Sequence, residues 1–274
     1  MIIRKFPPTL CLLLLILLFG CANNKSIQSS TYNPKPESYK IFDIKPEPYK
    51  KALQQINNMD YDMALKYLDL TITDFPNSKY VNNSYILESI IYNGKTMANR
   101  ILIQSLMAGV QQGAEYYNSE ERQLINKYFA TLQSELNKLE DESRRSIIFV
   151  AEKLNTNQLD FNDVSIKLVQ PSPKTSLDFF KSVGYPVPTE YEFNSIKNEY
   201  EQEAINYMLN NAIKSGEINL PQYYYDIATL SYYFDYDNEL TLKLCNKVLQ
   251  LTEKDKYNEV RLQVEDFIKE IKRK

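Results

Sequence analysis

Apolar residues recur every three or four positions along most of the chain after Tyr49, which is the spacing of one face of an α-helix. No segment shows the sustained alternation of apolar and polar residues that is typical of a β-strand. The pattern therefore predicts an all-α fold. The helices that it predicts are 49–57, one running from the Asp60–Asp62 turn to Phe75, one starting near Tyr80, 96–117, one that starts at Ser119, 189–216, one that starts at Pro221, one that follows Asp237, and a last helix that includes 260–271. The stretch 144–154 either extends the helix that starts at Ser119 or forms a new one.

Residues with helix-capping chemistry mark several of the predicted helix starts. Asp60 or Asp62 is suited to cap the second helix, because a short polar side chain can accept a hydrogen bond from the first turn. Ser119 is followed by two glutamates, whose charge is favoured at a helix N-terminus. The segment 189–192, Thr-Glu-Tyr-Glu, matches a capping box, and Pro221 suits the first turn of a helix.

A different pattern occupies the N-terminus. Two basic residues within the first five precede an apolar run, Leu10 to Phe19, that is too short to cross a bilayer as a helix. A charged start, a short apolar middle and a small residue at the break are typical of a secretory signal peptide. The break reads Leu18-Phe19-Gly20-Cys21, and the chain then turns polar at once.

This break resembles the lipobox of bacterial lipoproteins, in which a small residue precedes a cysteine. The resemblance implies cleavage between Gly20 and Cys21, with palmitate or another acyl chain attached at Cys21. It also implies export and a lipid-anchored position on the cell membrane or the outer membrane. Ala22, which is not aspartate, favours the outer membrane if the host has two membranes. An ordinary signal peptide or an uncleaved anchor is the alternative interpretation.

The composition divides the chain further. The stretch after Cys21 is rich in Ser, Pro, Asn and Lys and lacks helical periodicity, so it is predicted to be a flexible tether. Prolines interrupt a later stretch, for which we predict a loop with one short helix at 176–181. The predicted regions are a signal peptide at 1–20, the tether at 21–48, an N-terminal helical region at 49–160, a connecting loop at 161–188 and a C-terminal helical region at 189–274.

The segment DYDMALKYLDLTITDFPNS, residues 60–78, resembles the second half of a tetratricopeptide repeat. Ala64 stands where that family has its small helix-contact residue, Leu68 where it has a bulky one, and Pro76 where the repeat closes. Ala52 takes the small-residue position of the preceding helix. The likeness is nearest to the repeat-containing lipoproteins of outer-membrane assembly and the periplasm. It continues to Lys95 as the opening of a second unit.

The resemblance implies helical hairpins of the tetratricopeptide type, stacked as a short irregular solenoid. A second, divergent hairpin is indicated around Asp235-Tyr236-Asp237, although Glu239 occupies the place of the expected alanine. Stacks of this kind bind extended peptides or partner helices. The number of complete repeats and the oligomeric state stay open.

Composition excludes several chemistries. The chain has no histidine, which removes Ser-His-Asp and Cys-His catalysis and the commonest zinc ligand sets. Its net charge of −3 gives no basic excess for nucleic acid. The Asp-Tyr-Asp turns lack the glycine and glutamate of a calcium-binding loop, so no metal site and no cofactor are predicted. Cys245 is the one cysteine outside the N-terminal segment and is expected to be a small buried residue.

Tyrosine is abundant, with 22 in the chain, and clusters towards the C-terminus. Three adjacent helical tyrosines cannot all face one core, so at least one is expected at the surface. Tyrosine offers contact area and a hydroxyl to a ligand. The residues considered as a candidate binding surface are Tyr223, Tyr225, Tyr232 and Tyr233, with packing between helices as the alternative.

The expected function is protein binding or scaffolding in the cell envelope, with other envelope proteins as partners, no catalytic residue and no enzymatic activity. Two alternatives stay open. One is a lipid-anchored protein that binds a solute or glycan through the tyrosine-rich C-terminal half. The other is a histidine-free hydrolase that uses paired carboxylates. The acidic run Glu140–Glu142 beside Arg144 and Arg145 is predicted to be a solvated helix surface.

Overall fold

The computed structural model describes residues 44–113, 117–155, 166, 187–214, 217–233, 237–256 and 258–273. The predicted signal peptide with Gly20 and Cys21, nearly all of the predicted tether, and the short helix at 176–181 lie outside these residues. Within them the chain forms eight helices and one small β-hairpin, so the all-α prediction is confirmed in its main feature. The elements are α1 (Glu47–Asn57), α2 (Tyr61–Asp74), α3 (Tyr80–Gly113), α4 (Ser119–Asn155), α5 (Glu190–Ala212), β1 (Ile213–Lys214), β2 (Glu217–Ile218), α6 (Leu220–Tyr233), α7 (Asn238–Leu251) and α8 (Glu259–Ile271).

Helices α1 and α2 pack together as a hairpin with a tight connection. Met59 adopts a φ of 60°, the left-handed conformation usually taken by glycine after a helix. The Asp60 amide donates to the Gln55 carbonyl at 2.9 Å and the Met59 amide to the Ile56 carbonyl at 3.0 Å, so the last carbonyls of α1 are satisfied. The Asp60 carboxylate then caps α2 by accepting a hydrogen bond from the Met63 amide at 3.2 Å.

Helix α3 is one continuous helix of 34 residues, so the prediction of a separate helix beginning at 96 is wrong. Gly94 lies where α3 and α5 cross. A Cβ atom added at Gly94 would lie 2.6 Å from Cγ1 of Ile205 and 2.7 Å from its Cα. The absence of a side chain therefore lets α5 approach α3 closely. The resemblance to a second repeat unit reaches Lys95, but α3 continues through that residue without a break.

Helix α4 is also longer than a repeat helix, with 37 residues, and it includes the whole of 144–154. Its first turn is capped by Asn118 and not by Ser119. The Asn118 side chain accepts hydrogen bonds from the amides of Glu120 and Glu121, at 2.9 and 3.0 Å. The Glu121 carboxylate accepts in return from the Asn118 amide at 2.9 Å. Asn118 and Glu121 thus form a capping box.

Helix α5 begins with the predicted capping box, formed by Thr189 and Glu192. It ends at Ala212, where the chain enters the antiparallel pair β1–β2, which the sequence pattern did not predict. Ile213 and Ile218 face each other across that pair and are both buried. Tyr207 is 47% exposed, although helical spacing puts it on the same face as the buried Tyr200 and Ala204.

The last two helices are capped by side chains that precede them. Asp237 accepts hydrogen bonds from the amides of Glu239 and Leu240 and so caps α7. Asn258 caps α8 in the same way. Helix α7 packs against α6 and α8, and buried Cys245 lies on α7 with a free thiol.

One apolar core joins the two ends of the described chain. It runs from α1 and α2 through α3 to the C-terminal helices, and includes Tyr49, Ile86, Ile205 and Phe267. A second cluster lies between α3, α4 and α5 around Leu132. The predicted regions 49–160 and 189–274 therefore share core contacts, mainly because α5 packs along α3. This arrangement leaves an open cleft where α2, α3 and α4 meet.

Candidate binding cleft between the second, third and fourth helices

The residues singled out by the repeat resemblance lie in and beside the α1–α2 hairpin. Ala52, Ala64 and Leu68 have no exposed surface and belong to the main core. Pro76 is exposed and follows the end of α2. These residues lie in or beside the hairpin and line neither of the two cavities described below.

For Tyr223 the structure favours packing between helices, the alternative to a binding surface. This side chain is 1% exposed, and its hydroxyl lies 2.6 Å from the Ser89 hydroxyl on α3. The reason is that α6 turns Tyr223 and Tyr224 into the main core. Tyr225 and Tyr232 are half-buried and meet the edge of Phe267 on α8. The side chain of Tyr233 lies outside the described part.

A cleft of about 640 Å³ lies between α2, α3 and α4, and we call it the α2–α4 cleft. This volume lies within the range of ordinary ligand sites, ~300–1,000 Å³. The walls are partly apolar, with Leu65 and Ile72 on α2 and a stacked pair formed by Tyr85 and Phe149. The centroids of those two rings are 3.6 Å apart.

Glu88 lies in the α2–α4 cleft and is only 8% exposed. Its carboxyl group makes no hydrogen bond or ion pair with any residue that the structure describes. Burial of most of its surface disfavours the charged form of a carboxyl group. Glu88 therefore lines an accessible space and has no partner among the described residues.

The surroundings of Glu88 raise its pKa to about 8. Burial is the main cause, and the negative charges of Asp69 and Glu142 add to it. Both effects favour the neutral form of a carboxyl group. Glu88 thus holds its proton at neutral pH, unlike an ordinary glutamate. Burial and Glu88 also raise the pKa of Tyr92, the next tyrosine on this wall.

Charges of both signs lie along the two rims of the cleft. Lys66 and Asp69 belong to α2, and Glu142 and Arg145 to α4. Arg145 lies 3.0 Å from Glu142 in an ion pair within α4. The rim therefore carries two positive and two negative groups, and Glu88 is the one additional acidic group that lines the cleft.

A second cavity, of about 350 Å³, lies beside the α1–α2 turn and borders a set of paired charges. Lys95 lies 2.7 Å from Asp62 and 3.2 Å from Glu201. Glu201 also lies 3.7 Å from Lys197 and accepts a hydrogen bond from Asn99 at 3.4 Å. Burial lowers the pKa of Lys95, but Glu201 and Asp62 outweigh it, so the pKa is raised. These groups satisfy each other and act structurally.

The acidic run of α4 is only partly a free surface. Arg100 of α3 pairs with Glu140, which ties α3 to α4. Glu142 of the same run contributes to the α2–α4 cleft. In the described ranges, no group of three or more acidic or cysteine side chains is placed to hold a metal ion. No helix in those ranges is long and apolar enough to cross a bilayer.

Sequence reasoning missed Glu88, although a signal was present. The segment YILESIIYN, residues 85–93, sets one glutamate among apolar and aromatic residues. At helical spacing, Glu88 shares a face with Tyr85, Ile91 and Tyr92. A charged residue on such a face is rarely buried without a partner. The position of Glu88 on this apolar face was therefore the sequence feature that indicated a site.

Comparison with protein families, with curated proteins and with solved structures found no match to this chain. The α2–α4 cleft and its chemistry are therefore the basis for the function proposed below.

Proposed function

We propose that this protein is a lipid-anchored binding protein of the cell envelope, and that its α2–α4 cleft receives a segment of a partner protein. The observation that carries the proposal is the cleft itself, with Glu88 buried and unsatisfied inside it. The group is costly to the free protein and has an evident use once a ligand supplies a partner. Strongly shifted pKa values of this kind cluster at functional sites.

The shape of the surroundings favours a segment of a protein as the occupant. The cleft has an aromatic wall, apolar residues on α2 and charged rims on both sides. Such a mixture suits a peptide, which brings apolar and polar side chains in a fixed order. In this proposal the tetratricopeptide-like α1–α2 hairpin is part of a short irregular solenoid. The stacked helices of that solenoid hold the partner.

The anchor is the second part of the proposal. The lipobox-like Leu18–Cys21 segment supports acylation of Cys21 and cleavage after Gly20. Two or more acyl chains hold a protein firmly at a membrane. The polar stretch that follows would then act as a tether between the membrane and the helical body. The partner is accordingly another envelope protein.

Site-specific crosslinking tests partner binding. A photoreactive amino acid is placed at Lys66 or at Arg145, on opposite rims of the cleft, and at exposed Lys254 as a remote control. We expect one discrete crosslinked protein from both rim positions and none from the control. The crosslinked protein is identified by mass spectrometry and its binding is measured with purified components. A rim that yields the same background as Lys254 would contradict the proposal.

Metabolic labelling tests the anchor independently. The chain with Cys21→Ser is expected to lose incorporation of labelled palmitate and to leave the detergent phase. Cys11→Ser is the matched control, because Cys11 lies within the predicted signal peptide. Palmitate incorporated into the Cys21→Ser chain would show that the lipobox interpretation is wrong.

One observation favours a second candidate function, the carboxylate-based hydrolase. Glu88 holds a proton at neutral pH beside Asp69 and Glu142, and a protonated acid next to an ionised one is the arrangement of many glycosidases. Hydrolysis of cell-wall glycan that disappears in Glu88→Gln would establish this function in place of partner binding.

A further inference from the structure

We propose that the α2–α4 cleft recognises a lysine or arginine side chain of the partner, whose cationic group pairs with Glu88 while its alkyl stem lies along Tyr85 and Phe149. This inference rests on the proposed function, because it names the chemical feature of the partner segment that the cleft receives. It is carried by the burial of Glu88, its lack of a partner and the form of the walls around it.

The position of Glu88 calls for a long side chain. Glu88 is more than nine-tenths buried, so a ligand must reach past the charged rims to contact it. Lysine and arginine have alkyl stems that can be buried while the charged end meets a polar partner. The stacked rings of Tyr85 and Phe149 offer an apolar surface for such a stem.

Charge around the cleft favours a cation over an anion. Among the residues that line it, Asp69 and Glu142 stand on the rims and Glu88 lies between them. Lys66 and Arg145 balance the two rim carboxylates, and Arg145 is already paired with Glu142. Once ionised, Glu88 has no counter-charge left among the lining residues. A cation beside it balances the carboxylate that forms when Glu88 loses its proton, whereas an anion would meet the negative charges of Asp69 and Glu142.

The aromatic wall adds a second preference for a cation. Aromatic faces attract ammonium and guanidinium groups when these lie within ~6 Å of the ring centre. Tyr85 and Tyr92 both line the cleft on α3, on the same helix as Glu88. A cation seated near Glu88 is thus close to π-faces as well as to a carboxyl group. Neither attraction is available to a neutral side chain of the same length.

Binding couples to a proton. The free protein carries the neutral carboxyl group of Glu88 at pH 7. When the cation enters, the O–H bond of that group breaks, the proton leaves to solvent, and the carboxylate pairs with the ammonium or guanidinium group. Binding should therefore tighten as pH rises from 6 towards 8. The ionisable groups that line the cleft around Glu88 are Lys66, Asp69, Tyr85, Tyr92, Glu142 and Arg145.

Calorimetric titration of the full-length lipidated protein in detergent tests this inference. The probe is the peptide acetyl-Leu-Lys-Leu-amide, and acetyl-Leu-norleucine-Leu-amide is its neutral counterpart of similar length. We expect the lysine peptide to bind at least ~10-fold more tightly, because a hydrogen bond to a charged group is worth a factor of about 10–100. At pH 7, titrations in buffers of different ionisation enthalpy should show release of one proton, which disappears above pH 9.

Two substitutions show whether Glu88 is responsible for the preference for the lysine peptide. Glu88→Gln keeps the size of the side chain and should bring the affinity for the lysine peptide down to that of the norleucine peptide. Glu253→Gln removes one negative charge from an exposed turn far along the chain and should change nothing. The proton release of the unaltered protein needs no variant, so it remains a test even if Glu88→Gln folds poorly.

Several results would overturn the inference. They are equal binding of the two peptides, no proton release at pH 7, or tighter binding of free n-butylamine than of the lysine peptide, which would identify a small amine as the ligand. If the rim positions crosslink a partner but the lysine peptide does not bind, this inference fails and the proposed function stands. If the lysine peptide binds but no partner is crosslinked, the proposed function fails.

Discussion

Two buried glutamates in this protein have opposite surroundings. Glu201 on α5 is 9% exposed and lies close to Lys95, Lys197 and Asn99. Glu88 on α3 is 8% exposed and has no hydrogen bond or ion pair among the described residues. Similar burial thus accompanies complete pairing in one case and none in the other.

The difference separates a structural charge from a candidate functional one. Around Glu201, the protein supplies its own counter-charges, so the α2, α3 and α5 helices are joined by a satisfied network. Around Glu88, the free protein bears the cost of burial, and the pKa rises to about 8 as a result. A buried carboxyl group without a counter-charge, such as Glu88, lowers the stability of the folded protein. Proteins keep such groups mainly where a ligand or a reaction uses them.

The largest effect is expected from a substitution that disrupts the ion pairs around Glu201. Lys95→Met should lower the free energy of unfolding by about 3–5 kcal/mol, because it removes one partner of a buried ion pair and leaves Glu201 with less compensation. Urea unfolding at pH 7 measures this loss. Lys66→Met, on the exposed rim of the cleft, is the control and should change stability by less than ~0.5 kcal/mol. Equal effects of the two substitutions would contradict the distinction between the two sites.

The second prediction has the opposite sign. Glu88→Gln should raise the free energy of unfolding at pH 7 by up to about 3 kcal/mol, since the cost of keeping the buried carboxyl protonated disappears. The unfolded chain loses this proton near pH 4.5 and the folded protein near pH 8. Between these values the unfolded state binds fewer protons, so the wild-type protein loses stability as pH rises.

Urea unfolding at several pH values checks that sign. The wild type and Glu88→Gln should have similar stability at pH 4, differ increasingly up to pH 8, and then stay apart. Glu142→Gln, a half-exposed carboxylate of the same cleft, is the matched control and should not reproduce this profile. A Glu88→Gln protein that is less stable than the wild type at pH 7 would mean that Glu88 has a stabilising partner.

The smallest expected effect separates neighbouring charge from burial as causes of the raised pKa of Glu88. Asp69→Asn should lower the pKa of Glu88, because Asp69 raises that pKa more than Glu142, the other neighbouring carboxylate, does. The pKa should nevertheless stay well above that of an ordinary glutamate, since burial is the main cause. Asp74→Asn, at the end of α2 and outside the cleft, should leave the pKa unchanged. A pKa that falls to the ordinary value would show that charge, and not burial, governs the site.

Periodicity and capping chemistry predicted most helix positions but not the packing between helices. Thr189 with Glu192 and Asp60 identified their helix starts because capping depends on residues within one turn. The continuity of α3 through Gly94 was not predicted, and the role of Gly94 is set by Ile205, more than a hundred residues away in the chain. The sequence could not decide between a surface and a packing position for Tyr223, because the partner of its hydroxyl, Ser89, belongs to another helix.

The α2–α4 cleft was unpredictable for the same physical reason. Asp69, Glu88 and Glu142 lie on three different helices, and only tertiary packing brings them together. The sequence around Glu88 indicated a charge among apolar residues, but it could not show whether a counter-charge from another helix would meet it. For Glu201 two lysines do so, and the local sequence does not distinguish the two cases.

The pKa of the Glu88 side chain tests the account most directly. Carbon-13 NMR of glutamate carboxyl groups, with the Glu88 signal assigned by its disappearance in Glu88→Gln, gives this value in the full-length protein. We expect a titration midpoint near 8, which would establish a buried carboxyl group without a counter-charge. A midpoint near the ordinary value of 4.5 would contradict the account, because Glu88 would then be solvated or paired like Glu201.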